Sequence, residues 1–145
     1  MNAAQIAKLA SASLTGSMTF PQIVAGLLGE GVETYQVDYR EFRFTFYGAN
    51  RSVVVVPLTF EGLPEIAEHF DAASLKAAIL DSQTKGQPFR EFCRRAVLAG
   101  VPSYSVFLKG KRVVYFGRNG DQHVEWFPGA APLTPNTSFE RTREE

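Results

Sequence analysis

His123 and Glu125 stand two positions apart near the end of a 145-residue chain that holds only two histidines. Residues i and i+2 of a strand share a face, so an imidazole and a carboxylate placed this way can serve as a general base and the group that orients it. Asp38 is the alternative carboxylate for that role. Arg43 and Arg112 are cations able to hold a substrate anion. The plain alternative is that His123 and Glu125 are hydrogen-bonded surface or interface groups with no catalytic part.

Other reactive types are present without a pattern around them. Cys93 has Arg94 and Arg95 beside it, and positive neighbours favour a thiolate, but its spacing from Phe89 and Phe92 puts it on a buried helical stripe. Glu65 and His69 are four residues apart, a geometry compatible with a metal on a helix. Two ligands do not make a site, and no HExxH or CxxC pattern occurs, so neither a metal nor a cofactor is expected. The glycines fall at helix ends and hairpins; none builds a phosphate loop, and GxSxG is absent.

The elements that must position these residues are written twice. "GVETYQV" at 31–37 returns as "GVPSYSV" at 100–106, and the same shift of 69 aligns Phe20 with Phe89, Arg43 with Arg112, Gly48 with Gly117 and Asn50 with Asn119. One register held without a gap through helical and strand-like stretches indicates a tandem duplication, about 3–58 and 72–127. Each copy opens with a capped amphipathic helix, Asn2 with Gln5 in the first and Asp71 in the second. A second helix follows from Thr19, with Pro21 in its first turn, and from about Pro88. Gly31 and Gly100 stop these helices, because glycine takes positive φ without a Cβ clash.

Three strands then follow in each copy, about 33–39, 42–48 and 52–58, and 102–108, 111–117 and 121–127. Asn119-Gly120 is the favoured pair for a two-residue type I′ hairpin turn. The expected fold class is α+β: two ααβββ units with antiparallel sheet covered by helices on one side. An acidic linker, 59–71, joins them and is expected to hold a short helix at 63–70.

Alternation sorts the strand residues by face. The covered face is expected to carry Tyr35, Val37, Tyr39, Phe42, Phe44, Phe46 and Val55, with Tyr104, Val106, Leu108, Val113, Tyr115, Val124 and Trp126 in the second copy. The opposite face is mixed in character, with Thr34, Gln36, Asp38, Arg43, Thr45, Tyr47, Val54 and Val56, then Ser103, Ser105, Phe107, Arg112, Val114, Phe116, His123 and Glu125. Such a surface suits an interface or a ligand cup. The ligand-binding candidates are Arg43, Arg112, Tyr47, Phe107, Phe116 and His123. The copies differ in kind at Asp38/Phe107, His123/Val54 and Glu125/Val56, where a function acquired after duplication would lie.

Lys+Arg and Asp+Glu are both 15, giving zero formal net charge, which argues against strong non-specific attraction to nucleic acid or anionic lipid. The second copy has nine basic and four acidic residues, and 59–71 has four acidic and none basic; the linker is expected to lie near the basic helix bearing Arg90, Arg94 and Arg95. No apolar run approaches the roughly 20 residues of a membrane span. One cysteine and an N-terminus that reads as an amphipathic helix fit a cytoplasmic protein.

The stretches "SMTFPQIVAGLLGEGVETYQVDY" and "VVYFGRNGDQHVEWFPG" resemble domain-of-unknown-function family 1398, small bacterial proteins sometimes labelled phage envelope protein. The resemblance spans about 3–129 and implies no particular activity. One departure is at 87–92, "QPFREF", where the family more often has an acidic helix cap. The tail from 130, proline-containing and without periodicity, is expected to be disordered. "TPNTSFERT" within it resembles read-through of an integron cassette attachment site. The leading expectation is thus a cytoplasmic, non-catalytic accessory module that binds a small molecule, a protein partner or a second copy through the mixed face. The alternative is a small hydrolase- or isomerase-type enzyme using His123 with Glu125 or Asp38.

Overall fold

In the computed structural model, which describes residues 1–130, the chain runs α1 (Ala3–Thr15), α2 (Phe20–Gly29), β1 (Val32–Asp38), β2 (Arg43–Gly48), β3 (Val53–Pro57), α3 (Ala72–Thr84), α4 (Phe89–Leu98), β4 (Ser103–Phe107), β5 (Arg112–Phe116) and β6 (Gln122–Trp126). The six strands form one sheet in the order β3-β2-β1-β4-β5-β6, every neighbouring pair antiparallel. The order is a palindrome of the two units, so a pseudo-twofold runs between β1 and β4, and all four helices lie on one side. The α+β class and the repeated ααβββ order of elements are seen directly. The tail beyond Ala130, with its cassette-like sequence, lies outside the described residues.

Local chemistry starts and stops the helices as the residues dictate. Asn2 and Asp71 accept from the backbone N–H groups of Gln5 and Ser74, and Thr19 with Gln22 forms a full capping box. Pro88 caps α4 without any side-chain hydrogen bond. Gly31 and Gly100 take φ of 82° and 85°. At Gly100 the N–H donates to Val97 O and the next N–H, of Val101, to Ala96 O, the paired bonds of a Schellman stop.

The core fills the space between helices and sheet: Ile6, Leu27, Leu75, Val97, Phe46 and Val106 are fully buried. Aromatic contacts knit the halves together. Phe89 of α4 stacks on Phe44 of β2 at 6.4 Å, Tyr39 after β1 meets Tyr104 of β4 at 6.1 Å, and Phe20 of α2 meets Phe127 at 5.1 Å.

The linker holds no helix at 63–70; it is an irregular strap. Its Ala67 and Asp71 N–H groups donate to Val97 O and Ala99 O at the end of α4, so the carbonyls left over at that helix end take donors from the strap. The strap does follow the basic helix, though not through carboxylates: Arg90 and Arg94 lie over the Phe60 ring at 5.3 and 5.9 Å, and Arg94 donates to Gly62 O.

Faces follow register, and here two strands depart from the sequence expectation. Arg118-Asn119-Gly120 is a three-residue loop: Gly120 N–H donates to Gly117 O, Gly117 N–H to Asp121 O, and of the central residues only Gly120 has positive φ. The extra residue pairs Phe116 with Gln122 rather than with His123, and a slip of one residue turns every side chain of a strand over. The β2–β3 loop has the same length, closed by Gly48 N–H to Ser52 O, and pairs Tyr47 with Val53. Val54, Val56, His123 and Glu125 therefore face the helices, while Val55, Val124 and Trp126 face out. Phe42 is also exposed, at positive φ in the β1–β2 turn, rather than in the core.

Candidate functional site

No helix covers the outer face, which is crossed by three rungs of paired side chains. One runs Val53, Tyr47, Thr34, Phe107, Arg112, Trp126; another Val55, Thr45, Gln36, Ser105, Val114, Val124; the third Pro57, Arg43, Asp38, Ser103, Phe116, Gln122. Five of the six ligand-binding candidates, Arg43, Arg112, Tyr47, Phe107 and Phe116, are here. His123 is not.

On the first rung an open depression of about 640 Å³ is lined by Glu33, Thr34, Phe107, Lys109, Gly110, Arg112 and Trp126. Register places Phe107 and Trp126 on either side of Arg112, and the guanidinium carbon lies 6.0 and 5.5 Å from their ring centroids. Aromatic faces attract a cation through the ring quadrupole, which favours this position of the flexible side chain.

The first copy contains the same arginine in different surroundings. Arg43 pairs with Glu41 at 2.9 Å and stands across from Asp38 on the ladder. The positions equivalent to Glu41, Asp38, Arg40 and Pro57 are Gly110, Phe107, Lys109 and Trp126. Both acids have gone, replaced by Phe107 and Gly110; Trp126 replaces a proline, and the basic residue at 40 is kept as Lys109. Arg112 has no carboxylate partner among the described residues, whereas Arg43 does. Lys109, Gly110 and Trp126 were not among the sequence candidates. The exchange of acids at 38 and 41 was readable from the repeat, but Trp126 needed the loop length.

The candidate catalytic residues are divided between the two sides of the sheet. His123 Nε2 lies 3.0 Å from Glu125 Oε1 on the helix side, with the ring stacked 6.3 Å from Tyr115. Asp38 is on the outer face, and its Oδ1 accepts from the N–H groups of Arg40 and Glu41 at 2.8 and 3.0 Å, fixing the β1–β2 turn. Asp38 and His123 cannot act on one substrate.

The remaining reactive groups are structural. Cys93 is fully buried, and burial pushes its thiol up to about 12, outweighing the lowering by Tyr39 and Arg90. Burial likewise raises Tyr35, Tyr39, Tyr104 and Tyr115 well above the usual phenol range. Without a helix at 63–70, Glu65 and His69 lose their shared face, and no group of three metal-ligating side chains occurs among the described residues. No helix among them is long and apolar enough to cross a membrane.

No curated protein matches the chain. The model of the family described as "Protein of unknown function (DUF1398)" matches residues 17–125, from the end of α1 into β6, and so takes in both second helices, the strap and nearly the whole sheet. With three-quarters of its length matched, the chain belongs to the DUF1398 family.

Proposed function

We propose that this protein is a non-catalytic binding module whose outer sheet face takes a small ligand, with an anionic group of that ligand seated on Arg112. The observation that carries this reading is the contrast between twin arginines: Arg43 is paired with Glu41, and Arg112, without a carboxylate partner among the described residues, is walled by Phe107 and Trp126. A carboxylate on a planar apolar body matches both parts, an ion pair with the guanidinium and contact with the rings. Lys109 adds a second positive charge at the rim, and Glu33 limits how far the anionic part extends. The depression is open rather than enclosed, which suits reversible binding better than water-excluding chemistry.

The test is a titration of the full chain with benzoate, followed by amide and Trp126 indole shifts in NMR, with benzamide as the neutral control. Benzoate is expected to move Thr34, Phe107, Gly110 and Trp126, and benzamide at least tenfold less. Gly110→Glu restores the acid its twin position carries; a Cβ there meets only Phe107 Cβ at an ordinary 3.5 Å. That variant should fold normally and lose the benzoate response. Equal response to both probes, or a response unaffected by Gly110→Glu, would overturn the reading.

A further inference from the structure

The geometry points to β3 as a pairing edge for a second copy of this chain, joining two six-stranded sheets antiparallel through Val53–Pro57. The ladder alternation fixes which backbone groups are available. Gly48 N–H donates to Ser52 O at one end of the β2–β3 ladder, and Leu58 N–H to Phe42 O at the other. With pairs alternating between bonded and non-bonded, residues 52, 54, 56 and 58 bond inward to β2. The N–H and C=O groups of Val53 and Val55, and the C=O of Pro57, point away from the sheet. Pro57 lacks its N–H on the outward side, the arrangement in which proline is tolerated on an edge strand.

This outward set complements itself about Val55. Two copies related by a twofold axis there exchange Val55 N–H···O=C bonds in both directions, and each Val53 N–H meets the partner's Pro57 carbonyl. Side chains match as well: Val53 and Val55, 52% and 51% exposed, meet an identical apolar row, with no charge on either strand to be desolvated. A foreign strand would have to be equally apolar; a second β3 is so by identity.

The other edge of the sheet shows what protection looks like in the same fold. The equivalents of Val54 and Val56 on β6 are His123 and Glu125, polar groups turned toward the helices on an edge strand. Inward-pointing charged residues are one of the ways proteins block edge-to-edge pairing. The two halves share a template, and only the second edge carries this guard.

Sedimentation equilibrium of the full chain, combined with amide hydrogen exchange, tests the inference. A dimer is expected, with slowed exchange at Val53 and Val55, whose N–H groups have no partner among the described residues of one copy. Val55→Pro removes only an outward N–H and should give a folded monomer; Val53→Lys is the second variant should the proline perturb β3. Phe116→Glu, on the outer face and four strands away from β3, should leave the dimer intact. A monomeric wild type, fast exchange at both valines, or a dimer broken by Phe116→Glu but not by the β3 variants would overturn it, the last in favour of face-to-face packing.

Discussion

The guanidinium carbon of Arg112 lies 5.5 Å from the centroid of Trp126, its cross-strand neighbour. Trp126 is the only tryptophan in the chain, so indole emission reports on the surroundings of this one position. Replacing Arg112 by Gln is expected to change Trp126 fluorescence while altering stability by about 1 kcal/mol or less, the scale of an exposed cation–π pair. Emission spectra and urea denaturation of the two proteins check both parts. An unchanged spectrum would mean that the pair does not persist in solution.

Twin glycines allow a comparison with its own control. Gly31 and Gly100 both have positive φ, and a Cβ at Gly31 meets nothing within 4 Å, whereas one at Gly100 runs into the His69 carbonyl of the strap. Gly31→Ala should lose about 1 kcal/mol, the left-handed penalty alone. Gly100→Ala should lose clearly more, because backbone must also move. Denaturation midpoints of the two variants rank them.

Tyr39 is buried, and its hydroxyl makes no hydrogen bond of good geometry among the described residues, although the Cys93 thiol and the Tyr104 hydroxyl are close by. Removing an unsatisfied buried hydroxyl is neutral or stabilising. Tyr39→Phe is therefore expected to leave stability unchanged or raise it by up to about 1 kcal/mol, in contrast to most core substitutions. Thermal melts provide the readout, and a clear loss would show that the thiol and hydroxyl are bonded.

Alkaline pH should unfold this protein through the same core. Burial raises Cys93 from an ordinary value of 9.0 to about 12, and raises the four buried tyrosines above 10.0. Each folded value exceeds its unfolded one, so the unfolded chain releases protons first. The stability due to these neutral groups is complete below pH 9 and declines as pH rises beyond it. Tyrosinate absorbance of the buried tyrosines and circular dichroism should change together in one cooperative step well above pH 10.

Most of this fold could be read from the chain because its signals are local. Gly31, Gly100, Thr19 with Gln22, and Asp71 act within a turn of themselves, and the repeat doubled every such signal. The faces of β3 and β6 were misread because they depend on one residue in a loop. Four valines in β3 show no alternation, and β6 alternates plausibly in either phase, so only the three-residue turns at 49–51 and 118–120 decide. The strap at 59–71 was misread for a different reason: its conformation is set by α4 carbonyls some thirty residues away in sequence. At the site, Arg112 and Phe107 were legible, and Trp126 followed the fate of its strand.

The unequal guarding of the two sheet edges also bears on how large an assembly can grow. A sheet that can be joined along one edge forms a pair and stops, whereas one open along both can add copies without limit. His123 and Glu125, the residues that first suggested catalysis, occupy the edge where such growth would continue. Exchanging both for valine, as at their twins Val54 and Val56, would remove that guard from the second edge, and fibres or precipitate in place of a finite particle would be the consequence.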